Sequence, residues 1–166
     1  MITMNKKLHE LYNLGKDIRV SIVGAGKMGK GLIDQLFRIK GMTPALVVNR
    51  HIEKAKNALV AAGISKDDIV ETNSVIDANF YLEKGKFIVS ENIELATKVN
   101  LIDAVVDATG VPEVGANVAL SAIDNGKHII MLTVETDAVV GPILYKKAKE
   151  AGVVYTGTAG DEPGAT

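Results

Sequence analysis

The sequence predicts a doubly wound α/β fold, a parallel sheet with helices on both faces. Three observations predict it. Short β-branched runs alternate with amphipathic stretches along the chain. Those runs are apolar at successive positions, as strands buried on both faces require. The first of them, "IRVSIVG", breaks into a glycine cluster that opens a helix. Right-handed crossovers between parallel strands then place helices on each face.

The elements follow in order. Leu8, Leu11, Tyr12 and Leu14 recur at helical spacing before Gly15, which predicts a short leading helix over 5–14 whose role is packing. Residues 18–24 are too short and too β-branched for a helix and form the first strand. Residues 27–39 carry Met28, Leu32, Ile33, Leu36, Phe37 and Ile39 among charges, which gives a helix with a broad apolar side. "PALVVNR" (44–50) is the second strand, and "EKAKNALVAAG" (53–63) a helix stopped by Gly63. "VIDANFYLEKG" (75–85) is a further helix, with "DIVET" and "KFIVS" as candidate short strands on either side. The second half repeats the alternation: strand 104–110, helix 115–126, strand 127–133, helix 142–152 beginning at Pro142, and strand 153–157.

Composition bounds the function. A chain of 166 residues, 47% hydrophobic and with a formal net charge of −1, suits one domain with a buried core. The near-neutral balance and 4% aromatic content argue against nucleic-acid binding. The absence of cysteine excludes a disulfide framework, a thiolate zinc site and a cysteine nucleophile. His9, His51 and His128 have no metal-ligand spacing. The opening "MITMNKKLHELYNLG" lacks the apolar centre of a signal peptide, and no apolar run approaches the roughly 20 residues that span a bilayer. The expectation is a cytoplasmic protein with no membrane anchor.

The glycine junction carries the chemistry. In "GAGKMG", Gly24 allows the tight turn out of the strand, Gly26 lets backbone approach a pyrophosphate, and Gly29 brings helix against sheet. Lys27 and Met28 lie between them, and the helix start offers free N–H groups to phosphates. This context predicts a Rossmann dinucleotide site; the alternative is a glycine turn that serves packing only. About 20 residues beyond Gly29, where an NAD site places an acid on the ribose diol, the chain reads Asn49, Arg50, His51. Arg50 suits a 2′-phosphate and Asn49 the ribose or phosphate, so NADP(H) is expected over NAD(H). Against these roles stand an exposed surface arginine, a solvent-facing Lys27 and a His51 that merely opens a helix.

At "RVSIVGAGKMG", "VVDATGVPEVGANVALSAIDNGKHIIMLTVETDAVVGPIL" and "AGVVYTGTAGDEPGA" the chain resembles the homoserine dehydrogenase-like oxidoreductases. It looks most similar to the deoxyxylulose phosphate reductoisomerase-like branch, whose members often carry a SAF domain. The resemblance implies that Ala108, Thr109 and Gly110 border the nicotinamide; a plain helix-entry turn is the alternative. It also implies a catalytic neighbourhood around Glu135, where Val134 and Glu135 replace the Asn-Lys pair of homoserine dehydrogenases. Glu135 then orients a substrate hydroxyl or helps hold a cation, or is only a helix-entry carboxylate. Asp161 and Glu162 in "GDEPG" are paired acids suited to a metal or a polar substrate, or else a solvated tail.

These readings divide the chain into a leading helix (1–16), an NAD(P)-binding Rossmann domain (17–157) and the start of a C-terminal substrate domain (158–166). The expected function is the NADP(H)-binding part of an oxidoreductase that reduces a carbonyl of a small polar or phosphorylated substrate. A divalent cation and homo-oligomerisation through the further domain accompany that expectation. Residues 1–166 alone are expected to bind cofactor and turn over little. By the resemblance that enzyme is reductoisomerase-like or homoserine dehydrogenase-like; the alternative is a non-catalytic dinucleotide-sensing module.

Overall fold

The structure is a computed structural model and describes residues 2–158. In chain order it contains α1 (Ile2–Asn13), β1 (Ile18–Val23), α2 (Lys27–Arg38), β2 (Met42–Val48), α3 (Ile52–Ala62), β3 (Ile69–Glu71) and α4 (Val75–Glu83). Then come β4 (Phe87–Ser90), α5 (Leu95–Lys98), β5 (Ala104–Asp107), α6 (Pro112–Asp124), β6 (His128–Met131), α7 (Val134–Ala151) and β7 (Tyr155–Gly157). All seven strands join one parallel sheet in the order β3-β4-β2-β1-β5-β6-β7. This is the Rossmann-like α/β architecture the sequence predicts. The strand order reverses beside β1, which pairs with β2 on one edge and β5 on the other. The crossovers leave that point in opposite directions and open a crevice at the carboxyl ends of the strands.

Alternation along the strands separates two cores. Val20 and Ile22 of β1 pack with Val47, Val89 and Val106 under Ile33 and Leu36 of α2 and Ala55, Ala58 and Leu59 of α3. Val23 faces the opposite side with Leu46, Ile88, Val105 and Ile129, beneath α4, α5, α6 and α7. The small face of α3 explains its tight seat: alanines at 55, 58 and 62 recur at helical spacing and are buried.

Three features depart from the pattern read off the sequence. The helix expected from Pro142 begins eight residues earlier, at Val134, and Pro142 sits inside it. A proline clashes with the Cβ of the residue before it in a helical backbone; here that residue is Gly141, which has none. Strand β2 begins at Met42 rather than Pro44. Pro44 has no N–H to give to a central ladder, and the β1–β2 register slips by one residue there, from Val20 opposite Pro44 to Ser21 opposite Leu46. The four-residue α5 and the 3₁₀ turn at Lys66–Asp68 are too short for a periodic signal.

The edge of the sheet is pinned by one polar contact. The Tyr155 hydroxyl on β7 donates to Asp137 Oδ1 on α7 at 2.7 Å. Burial, reinforced by that hydrogen bond and the carboxylate charge, pushes the Tyr155 phenol well above its ordinary value. A folded pKa above the unfolded one stabilises the fold fully below the unfolded value, about 10, and the contribution disappears as pH rises through the folded pKa. Tyr155→Phe is therefore expected to cost about 1.5 kcal/mol at pH 7 in urea unfolding. Above about pH 10 the wild-type thermal midpoint should fall more steeply than that of the variant; parallel curves would contradict this account.

Candidate functional site

Chain geometry builds the site from the end of β1. Gly24 has φ of +106°, and a Cβ there would stand 2.5 Å from the Ala108 carbonyl oxygen. Only glycine lets the β1–α2 turn lie this close to the β5–α6 turn. Gly29, in the first turn of α2, rests against the Gly24 carbonyl with no room for a Cβ. Gly26 differs: its φ is −76° and an added Cβ would meet nothing within 4 Å. The fold itself does not need glycine at 26; what a side chain would fill there is the open space of the groove.

Backbone and one amide hold the loop in place. Gly24 N–H donates to the Val48 carbonyl at 2.8 Å, and Ala25 N–H donates to Asn49 Oδ1 at 3.1 Å. The Asn49 amide in turn donates to the His51 carbonyl at 2.9 Å. Asn49 thus ties the glycine loop to the end of β2. No side chain caps α2 at Gly26, so the N–H groups of its first turn are left for an external acceptor.

An open groove of about 360 Å³ crosses these carboxyl ends. Val23, Gly24 and Gly26 lie at its middle, at the crossing point of the sheet. Toward β2 and β4 it is lined by Asn49, Arg50, His51 and Lys54, with Glu91 and Ile93; toward β5 it is lined by Ala108, Thr109, Val111 and Val114. Among the described residues Arg50 and Lys54 enter no ion pair, although five other pairs form.

The structure therefore gathers Gly24, Gly26, Asn49, Arg50, His51, Ala108 and Thr109 around one groove. Lys27 and Met28 are exposed on the first turn of α2 and do not line it, and neither do Gly29 and Gly110, which shape its walls. Glu135 is exposed in the first turn of α7 and outside the groove lining. Asp161 and Glu162 lie outside the described residues. Among the described residues no three His, Asp or Glu side chains converge as metal ligands, and no helix is long and apolar enough to cross a membrane.

Sequence reasoning missed Lys54, Glu91, Ile93, Val111 and Val114. Lys54 had a signal, since it stands in the first turn of the helix that follows Arg50. Glu91 and Ile93 had none: they belong to an irregular segment after β4, brought beside β2 only by strand order.

Several solved structures share this fold. A homoserine dehydrogenase from Thiobacillus denitrificans superposes with a TM-score of 0.64 at 21% identity, covering 85% of this chain and 29% of the other. An NAD binding oxidoreductase from Klebsiella pneumoniae gives 0.59 at 13% identity, covering 86% and 34%. The apo scyllo-inositol dehydrogenase from Lactobacillus casei gives 0.58 at 18% identity, covering 86% and 36%. The chain thus spans about a third of the length of each. No curated protein matches the sequence. The shikimate / quinate 5-dehydrogenase family model matches residues 6–91, more than half of the chain, from the leading helix through the glycine loop and Arg50 to the end of β4. On that match, the chain belongs to the shikimate / quinate 5-dehydrogenase family.

Proposed function

We propose that this chain is the NADP(H)-binding domain of an oxidoreductase that interconverts a carbonyl and a hydroxyl on a small polar substrate. One observation carries the reading: a single groove joins an uncapped helix start and a side-chain-free Gly26 to Arg50 and Lys54 at the end of β2. Dinucleotides on open α/β sheets lie across the point where strand order reverses, with the adenosine ribose at the end of the second strand. That assigns the adenosine half to the Arg50 side and the nicotinamide half to Ala108 and Thr109.

Charge favours the phosphorylated cofactor. Arg50 presents a planar donor pair for a 2′-phosphate, and Lys54 adds a second cation from the first turn of α3. The α2 N–H groups donate to the pyrophosphate and Gly26 leaves room for it, while Asn49 holds the loop rather than the ribose. A bound nicotinamide supplies the hydride donor or acceptor, and the protein orients the ring and excludes water.

The substrate part of the reading rests on family membership and on the resemblance to homoserine dehydrogenases. Shikimate and quinate, which give the family its name, are small and polar. Reductoisomerase-like chemistry, a phosphorylated substrate, a SAF domain and a divalent cation rest on the sequence resemblance alone. Residues 17–157 are the cofactor domain in this reading. A substrate domain beyond them covers the nicotinamide and carries the oligomer interface, in keeping with matched structures more than twice as long. Glu135 is the candidate substrate contact on this chain, with Asp161 and Glu162 as further candidates.

Calorimetric titration with NADPH, NADP⁺, NADH and NAD⁺ tests the reading. The expected result is submillimolar binding with at least about tenfold preference for the phosphorylated pair, the worth of one charge-assisted contact. Binding of none of the four would overturn it.

A further inference from the structure

The β5–α6 turn, which forms the proposed nicotinamide end of the groove, is held by hydroxyl groups whose hydrogen bonds lie within the protein. Thr109 Oγ1 donates to Asp107 Oδ1 at 2.8 Å and accepts from Val111 N–H at 3.3 Å. Its single proton is therefore committed inside the turn, although the residue lines the groove. Two threonines at the β6–α7 junction grip the same turn from behind. Thr133 Oγ1 accepts from Gly110 N–H at 3.1 Å, and Thr136 Oγ1 donates to the Pro112 carbonyl at 3.1 Å. Both residues are buried, and neither lines the groove.

Asp107 makes this arrangement costly. It is fully buried, and its second carboxylate oxygen has no hydrogen-bond partner. That oxygen and Thr136 Oγ1 both stand over Gly115, each 2.5 Å from where a Cβ would be. A buried carboxylate with a free oxygen disfavours folding, and an apolar side chain at 107 would pack without that penalty. The polar cluster therefore contributes something other than core stability, and what it holds is the wall of the groove.

We propose that Thr133 and Thr136, together with the Asp107–Thr109 pair, are positioning residues that set the β5–α6 turn for the nicotinamide half of a bound dinucleotide. The proposal rests on the cofactor reading above. It divides the groove into two independently supported halves: Asn49 fixes the adenosine side, and the threonine cluster fixes the other.

The test compares NADPH with adenosine 2′,5′-bisphosphate, which carries the adenosine half alone, on the 166-residue chain. Thr133→Val is expected to weaken NADPH about fivefold, as loss of one neutral hydrogen bond would, and to leave the bisphosphate unchanged. Thr133→Ser should restore NADPH affinity. Thr136→Val, which removes the other grip, should show the same selective loss and carries the test if Thr133→Val does not fold. Equal weakening of both ligands, or unchanged NADPH affinity, overturns the positioning role while leaving the cofactor reading intact. Wild-type protein that binds neither ligand overturns the cofactor reading, and this proposal with it.

Discussion

Gly24→Ala should destabilise the fold by about 3 kcal/mol and abolish dinucleotide binding. The estimate combines about 1–2 kcal/mol for a side chain at positive φ with about 1–3 kcal/mol for overpacking. The clash is with backbone, since a Cβ would stand 2.5 Å from the Ala108 carbonyl oxygen, so no side-chain rotation relieves it. Relief requires the β1–α2 and β5–α6 turns to part, which opens the crevice proposed to hold the cofactor. Gly26→Val is the informative contrast. A Cβ at 26 meets nothing within 4 Å, so urea unfolding should change by no more than about 1 kcal/mol, while binding is lost because the side chain fills the groove. Stability that falls equally for both variants would contradict the distinct roles assigned to the two glycines.

Arg50→Ala should weaken NADPH and NADP⁺ binding by about 10- to 100-fold and leave NADH and NAD⁺ almost unchanged. The range is that of charge-assisted hydrogen bonds, about 1.5–3 kcal/mol. Arg50 is exposed at the end of β2 and enters no ion pair among the described residues, so its removal leaves no buried charge behind and fold stability should hold. Lys54→Ala should act in the same direction with a smaller effect, because an ammonium group on a flexible stem makes no bidentate contact. Raising the salt concentration should narrow the wild-type preference by screening both cations. Equal losses for phosphorylated and unphosphorylated cofactors would assign Arg50 to the pyrophosphate or to folding instead.

The parallel sheet, the two-faced helical cover and the glycine loop were legible in the chain because they depend on local pattern. "IRVSIVG" is a buried strand and a glycine turn in consecutive residues, and the apolar faces of α2 and α3 repeat with helical period. Arg50 was legible for a related reason: its distance from Gly29 is set by one helix and one strand, whose lengths the pattern specifies. The start of α7 was not, because a proline in a helix interior reads as a helix start unless the relief offered by Gly141 is known.

Other parts of the site came only from tertiary packing. Glu91 and Ile93 reach the groove through the placement of β4 beside β2, a neighbour relation with no local pattern. Thr109 reads as a cofactor contact in the chain, yet its hydroxyl is bound to Asp107 and Val111. Thr133 and Thr136 bear on the groove across 23 or 24 residues of sequence. Periodicity tells which side of an element is buried, and glycine and proline tell where the backbone turns. Which polar groups then meet depends on how separate elements pack in three dimensions, and in this protein that packing sets the wall of the groove.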